Sequence, residues 1–428
     1  MIATIPPQNI SRLAISRLAL SQLVVNSDRL DRSLNELAEI GKLPNGGVCR
    51  LAFSEADVLA RNLVKNWMLE AGMSVRSDAV GNIIGTYAGT ESGAAALATG
   101  SHIDTVPVGG RYDGCLGVLA GIEVARVLQE NQIRLHHPFE VIVFSDEENS
   151  VIGCKAIAGN APTDPERYRR KNGMSIQDCL KNVGGDWEEL HTAKRDRHEI
   201  AAFIELHVEQ GGVLEAWDKQ IGVVTGIVGQ YRYMVQIIGR PNHAGTTPMN
   251  MRKDALVAAS QLVLAINRLG VETEGEQVAT VGHLTVSPNG TNVVPAKVDL
   301  SIDLRDLSEE NLQYLISEIE KECEAIALTT GTEITLEQKL HVLPTLAKPE
   351  LMEAIAEVCQ NLHLSYDYLP SRAGHDAQEI GRFTDMGMIF VPSRDGISHS
   401  QDEYTSPEQC AQGANVLLHT LLAIDGKY

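Results

Sequence analysis

AAALATGSHIDTVPVGGRYDG, residues Ala94 to Gly114, sets an apolar run against a polar, glycine-rich loop. Ala94 to Thr99 read as a buried strand, and Cys115 to Gln129, rich in Leu, Val and Ala, as the helix that follows. His102, Asp104 and Asp113 then lie near the carboxyl end of a strand, where open α/β sheets place their sites. Imidazole nitrogen and carboxylate oxygen together are ligand chemistry for zinc, manganese or cobalt.

Three further segments repeat this pattern. Phe139 to Phe144 form a second apolar strand, running through Ser145 into Asp146, Glu147 and Glu148. Three adjacent carboxylates repel one another unless a cation neutralises them. A third strand from Ala202 carries His207 near its end, followed by Glu209 and Gln210. The fourth apolar run, Met388 to Val391, leads into GISHSQDE, Gly396 to Glu403, with His399 inside it. A lone histidine is more often a structural or surface residue than a ligand. His191, His198, His363 and His419 are accordingly read as solvated, and Glu147-Glu148 alone could open a helix, where acids suit the dipole. For His102, Asp113, Glu148, His207 and His399 the plain reading would have to hold five separate times.

Composition narrows the choice of function. The 428 residues carry a net charge of −20, which lacks the basic face a nucleic-acid backbone requires. Aromatic residues make up 4%, too few for base-stacking platforms. Seven widely spread cysteines without a C-x-x-C spacing read as reduced thiols and point to the cytoplasm. No apolar run is read as membrane-spanning. Ile10 to Val25, interrupted by Arg12 and Arg17, is read as an amphipathic helix rather than a signal peptide.

The order of elements predicts an α/β protein with two domains. From Ser54, a helix start with Asp57 as capping-box partner, strands and helices alternate to about Thr225, implying a helix-covered, mixed sheet. Tyr231–Gly239, Arg252–Leu269, Gln277–Val286, Ala296–Arg305, Ser308–Thr329 and Glu333–Leu340 then read β, α, β, β, α, β. That is the ferredoxin-like arrangement. Residues 1–226 and 344–428 are assigned to the catalytic domain and 227–343 to an inserted lid or dimerisation domain, with hinges near Gly226 and Pro344. In Ala296 to Arg305 the alternation points Val298, Leu300, Ile302 and Leu304 inward and Asp299, Ser301, Asp303 and Arg305 the other way. Arg305 offers a bidentate guanidinium suited to a carboxylate, or else a salt bridge to Asp303 or Asp306.

GSHIDTVPVGGRYDG, FSDEEN, ELHVEQG, GRPNHAGTTPM, NVVP (Asn292–Pro295), DLRD (Asp303–Asp306) and AGHDA (Ala373–Ala377) occur in the order seen in a known family. The chain resembles the hydantoinase/carbamoylase branch of the M20 metallo-amidohydrolases, from about Arg29 to the C-terminus. That branch includes N-carbamoyl-L-amino acid hydrolases, allantoate amidohydrolases and some β-ureidopropionases. Peptidases of the superfamily usually have a carboxylate where this chain has His207.

The resemblance implies a cytoplasmic homodimeric hydrolase with two divalent metal ions per chain, zinc, manganese, cobalt or nickel. His102 and His207 would hold one, Glu148 and His399 the other, with Asp113 bridging. Glu147, crowded by Glu148, is expected to have a raised pKa and to serve as the base. Asp104 is expected to accept the second N–H of His102. His243 would stabilise the oxyanion from the neighbouring subunit, and Arg305 and Asn292 would hold the substrate carboxylate. Gln210, Gly374 and His375 would line the pocket. A cis Asp113-Gly114 bond is a further expectation. The reaction implied is hydrolysis of the carbamoyl C–N bond of N-carbamoyl-L-amino acids. Allantoate amidohydrolase or β-ureidopropionase is the alternative, followed by an aminopeptidase or deacylase and by a metal-free scaffold.

Overall fold

The computed structural model describes residues 23–428. In chain order come α1 (Ser27–Glu39), α2 (Glu55–Glu70), β1 (Ser74–Ser77), β2 (Ile83–Tyr87), β3 (Ala96–His102), α3 (Cys115–Glu130) and β4 (Phe139–Phe144). After β5 (Ile200–Val208) and β6 (Ile221–Ile227) come β7 (Gly229–Ile238), α4 (Ala255–Glu272), β8 (Val278–Ser287) and β9 (Lys297–Asp306). The chain continues through α5 (Glu309–Thr330), β10 (Glu333–Val342), β11 (Thr345–Leu346), α6 (Pro349–Asn361), β12 (Tyr366–Ser371), β13 (Asp385–Val391) and α7 (Pro407–Ile424). The expected helix over residues 10–25 falls outside the described residues except for 23–25, which are not helical.

Two compact units emerge. One comprises the described residues up to Gly222 with Glu353–Asp367 and Ile389–Tyr428; the other comprises Val223–Met352 and Tyr368–Met388. In the first, β3 pairs in parallel with both β4 and β5, and β2 adds antiparallel to β4, so the sheet is mixed. Every residue of β3, β4 and β5 is buried, as expected of strands covered on both faces. His102 pairs with Phe144, which brings the ends of β3 and β4 level. Helix α2 starts at Ser54, whose Oγ accepts from Asp57 N, but the Asp57 carboxylate reaches past the cap to Phe53 N and also holds Arg61. The two-way capping box occurs instead at Ser406 and Gln409, opening α7.

In the second unit, β7 to β10 with α4 and α5 form an antiparallel sheet of order β10-β7-β9-β8. Val298, Leu300, Ile302 and Leu304 pack with residues of α4 and α5 in one core, while alternate residues of β9 lie on the other face. Helix α4 is long and apolar enough, by length and composition, to span a membrane, contrary to expectation. Here Ala255, Ala258, Ala259, Leu262 and Ile266 bury one of its faces in that core. All seven cysteines are free thiols.

Candidate metal centre

The site grows from the ends of β3, β4 and β5. Buried Arg50 braces the first loop: its guanidinium donates to the carbonyls of Ile103, Leu37 and Ile40 and lies 3.2 Å from Cys115 Sγ. It thereby satisfies carbonyls at the end of α1 and holds the turn after His102. Gly114 (φ 66°) opens α3 so close to His102 that a Cβ there would lie 2.5 Å from the imidazole ring. The expected cis bond at Asp113-Gly114 is not found; among the described residues the only cis bond is Ser287-Pro288. The positive φ of Gly114, open to glycine, makes this turn with a trans bond.

Two triads share Asp113. His102, Asp113 and His207 form one and Asp113, Glu148 and His399 the other, the ligand atoms of each lying within 4.8 Å of one another. Asp113 Oδ1 is 3.6 Å from His102 Nε2 and 3.1 Å from His207 Nε2, while its Oδ2 is 3.2 Å from His399 Nε2. His399 Nε2 is also 3.4 Å from Glu148. In the neutral rings, Nδ1 of His102 donates to the Asp104 carbonyl (2.9 Å) and Nδ1 of His207 to the Val208 carbonyl (2.8 Å), which turns both Nε2 lone pairs inward.

Asp104 plays a different part from the one expected. Its main-chain carbonyl, not its carboxylate, orients His102. The carboxylate accepts from the main-chain N–H groups of Glu147 (3.3 Å) and Glu148 (3.2 Å), holding the acidic turn in place. Nor do all three acids of that turn require an external cation. Asp146 is neutralised by Arg170 at 2.8 Å, leaving Glu147 and Glu148 for the cluster. Glu147 approaches His102 Nε2 at 3.6 Å and belongs to neither triad. Gln210 donates to Asp113 Oδ2 at 2.9 Å. Ser398 and Glu403, assigned no role from the sequence, also contact Asp113.

The electrostatics are those of a cation site. Burial pushes the Asp113 carboxyl up, but hydrogen bonds from His102, His207 and His399 outweigh it and hold it well below the usual range. Burial opposes protonation of His102 and His207, yet Glu147 and Asp113 pull the first well up and Asp113 raises the second. His399 is pushed up to about 9, chiefly by Asp113. Burial raises Glu148 and lifts Asp104 to about 7. An imidazole must be neutral to ligate a divalent ion, so metal uptake here is coupled to proton release. Three imidazoles and two inward carboxylates, one of them shared, fit a pair of divalent ions.

The remaining candidates lie in the second unit, with the exception of Gln210. Arg305 forms the alternative contact: Nε is 2.8 Å from Asp303, and Nη1 donates to the Arg372 carbonyl at 2.6 Å. Arg232 joins the same carboxylate at 3.0 Å, and these arginines line a cavity of about 650 Å³ with His283. His243 Nδ1 accepts from Gly245 N (2.9 Å) and Thr246 N (3.2 Å), so the neutral ring carries its proton on Nε2 and can donate it. The carbonyl of Asn292 accepts from Ala244 N at 2.9 Å, placing the Asn292 loop beside His243. His375 is buried with Nε2 at 2.8 Å from Ser371 Oγ, and Gly374 precedes it. His419, expected to be solvated, is half-buried against the Leu23 carbonyl.

Comparison with known proteins adds chemistry to this geometry. Residues 98–423 match the family model described as peptidase family M20/M25/M40. The chain is 40% identical over 403 residues to an N-carbamoyl-L-amino acid amidohydrolase of Geobacillus stearothermophilus, covering 93% of this chain and 98% of the relative. It is 36% identical to an allantoate amidohydrolase of Bacillus subtilis, covering 90% and 94% of the two chains. A solved amidase of the hydantoinase/carbamoylase family from Burkholderia multivorans superposes with a TM-score of 0.87 at 37% identity, covering 94% of this chain and 98% of that one.

Proposed function

The chain belongs to peptidase family M20/M25/M40, and on that footing we propose that it hydrolyses the terminal carbamoyl C–N bond of N-carbamoyl-L-amino acids. The products are the amino acid, carbon dioxide and ammonia. The observation that carries this reading is the pair of His/carboxylate triads sharing Asp113, in a chain matched almost end to end by an N-carbamoyl-L-amino acid amidohydrolase. His102, Asp113 and His207 would hold one divalent ion, and Asp113, Glu148 and His399 the other. When bound, such a pair activates water and polarises a carbonyl.

The side chains then divide the remaining work. Glu147 takes a proton from water and passes it to the leaving nitrogen. Asp104 keeps Glu147 in place through its main chain. His243, protonated on Nε2, donates to the oxygen that becomes tetrahedral. Arg305 and Asn292 bind the substrate carboxylate, Asp303 holding the guanidinium in one orientation until the carboxylate arrives. Gln210, Gly374 and His375 shape the pocket. Allantoate is the second substrate to consider, because one relative is an allantoate amidohydrolase and its substrate also joins a ureido group to a carboxylate.

The deciding assay is ammonia release by metal-reconstituted protein from several N-carbamoyl-L-amino acids, 3-ureidopropionate, allantoate and one N-carbamoyl amino acid amide. Turnover of N-carbamoyl-L-amino acids with little on the amide is expected. Activity confined to acylated or peptide substrates overturns the reading, and equal rates on acid and amide remove Arg305 from it.

Within the second unit, residues 227–343 are assigned as a ferredoxin-like lid and dimerisation module. An exposed stripe of Val257, Leu264 and Val271 on α4, spaced seven residues apart, and the edge strand β8 support a second copy of the chain as its partner. If His243 serves the neighbouring chain, His243→Ala and Glu147→Gln are each inactive alone. Their mixed dimer should recover up to about half the wild-type rate, because one of its two sites is complete. No recovery in a confirmed heterodimer would confine His243 to its own chain. Seven free thiols are compatible with the reducing cytoplasm proposed as its location.

A further inference from the structure

Asp113 carries both triads, yet it sits on a loop of irregular backbone between β3 and α3, and its position has to come from elsewhere. The structure traces it to Glu403, 290 residues further along the chain. One oxygen of the buried Glu403 carboxylate accepts from Tyr112 N at 2.8 Å and from Asp113 N at 3.1 Å. The other lies 3.1 Å from Ser398 Oγ, and that hydroxyl is also 3.1 Å from Asp113 Oδ2. The carboxylate therefore grips the main chain at Asp113, and the Ser398 hydroxyl, whose single proton serves one acceptor at a time, sits between it and the side-chain oxygen that faces His399.

The surroundings are shaped for this contact. A Cβ at Gly110 would fall 2.2 Å from Glu403 Oε1, so only glycine lets the carboxylate approach the loop. The flanking Tyr112 and Tyr404 rings pack edge to face with centroids 6.0 Å apart. His399 and Glu403 lie on one short segment, and the turn between them is closed by Glu403 N donating to the Ser400 carbonyl at 3.2 Å. The segment that supplies a ligand to the second triad thus also holds the carboxylate common to both.

We propose that Glu403 is a positioning residue for the dinuclear site: it fixes Asp113 where both triads can use it and ties that placement to the His399 segment. The proposal rests on the metal reading given above. Zinc titration of the full-length apoprotein against a chromophoric chelator, with elemental analysis of the desalted product, tests it without recourse to activity. Glu403→Ala should weaken zinc binding at both sites by about 10–100-fold, the range usual when a ligand loses its supporting hydrogen bonds. Glu403→Gln, whose carbonyl oxygen still accepts from both N–H groups, should restore most of the affinity.

A purely structural role predicts another outcome: a lower melting temperature of the apoprotein, with unchanged zinc affinity in the molecules that remain folded. That result overturns the proposal, and so does a Glu403→Gln variant as weak as Glu403→Ala. Should Glu403→Ala fail to fold, Ser398→Ala decides, since it cuts only the hydroxyl link; unchanged affinity there counts against the proposal and weakened binding supports it. Wild-type protein that takes up no zinc would instead sink the metal reading itself.

Discussion

Glu147→Gln should keep its fold and both metal ions while turnover falls by about 10²–10⁴-fold, the usual worth of a positioned proton acceptor. The amide matches the carboxylate in size, and Glu147 lies outside both triads, so neither set of ligands is disturbed. Its main chain stays anchored to Asp104 whatever the side chain carries. Only the capacity to accept a proton is removed. Glu148→Gln should behave in the opposite manner, losing an ion, because Glu148 shares the second triad with Asp113 and His399. Elemental analysis beside steady-state rates separates the two. A Glu147→Gln protein short of one ion, next to a Glu148→Gln protein with two, would reverse the roles.

Asp113→Asn should abolish turnover and reduce bound metal to well below one ion per chain. One carboxylate serves both triads, with Oδ1 facing His102 and His207 and Oδ2 facing His399. An amide presents one carbonyl oxygen and one N–H₂ donor, so it cannot bridge two cations. The variant also leaves three imidazoles facing one another without the buried negative charge that now offsets them. His399→Ala is milder by comparison, since the first triad does not contain it. Calorimetric titration with zinc would show no tight site in Asp113→Asn. Two tight sites of wild-type affinity in that variant would rule out a bridge at Asp113.

Much of this was legible along the chain. Apolar runs ending abruptly in His, Asp and Glu located β3, β4 and β5 and the site at their ends, because strands buried on both faces are mostly apolar and carry a charge inside only where it is paired, as Glu140 is with Arg195. Alternation in β9 separated the core residues Val298, Leu300, Ile302 and Leu304 from the face bearing Asp303 and Arg305. The seven motifs, taken in order, then pointed to the five residues that meet in the two triads. Hydrogen-bond partners were less legible even at short range. Asp104 stands two residues from His102, yet its carbonyl serves the imidazole and its carboxylate serves the next strand end.

Residue type and spacing decide which chemistry can reach a strand end, since both follow from backbone periods local to the segment. By itself the sequence therefore determined the α/β alternation, the strand ends and the kinds of donor atom gathered there. Which donor meets which acceptor is settled between segments far apart in the chain, where each buried polar group must find a partner among whatever packing brings near. Arg170 neutralising Asp146, the Arg372 carbonyl accepting from Arg305 and Glu403 gripping the loop of Asp113 are outcomes of that kind. Only the tertiary structure decided them, because the desolvation of a buried charge is compensated by contacts in space rather than by neighbours in sequence.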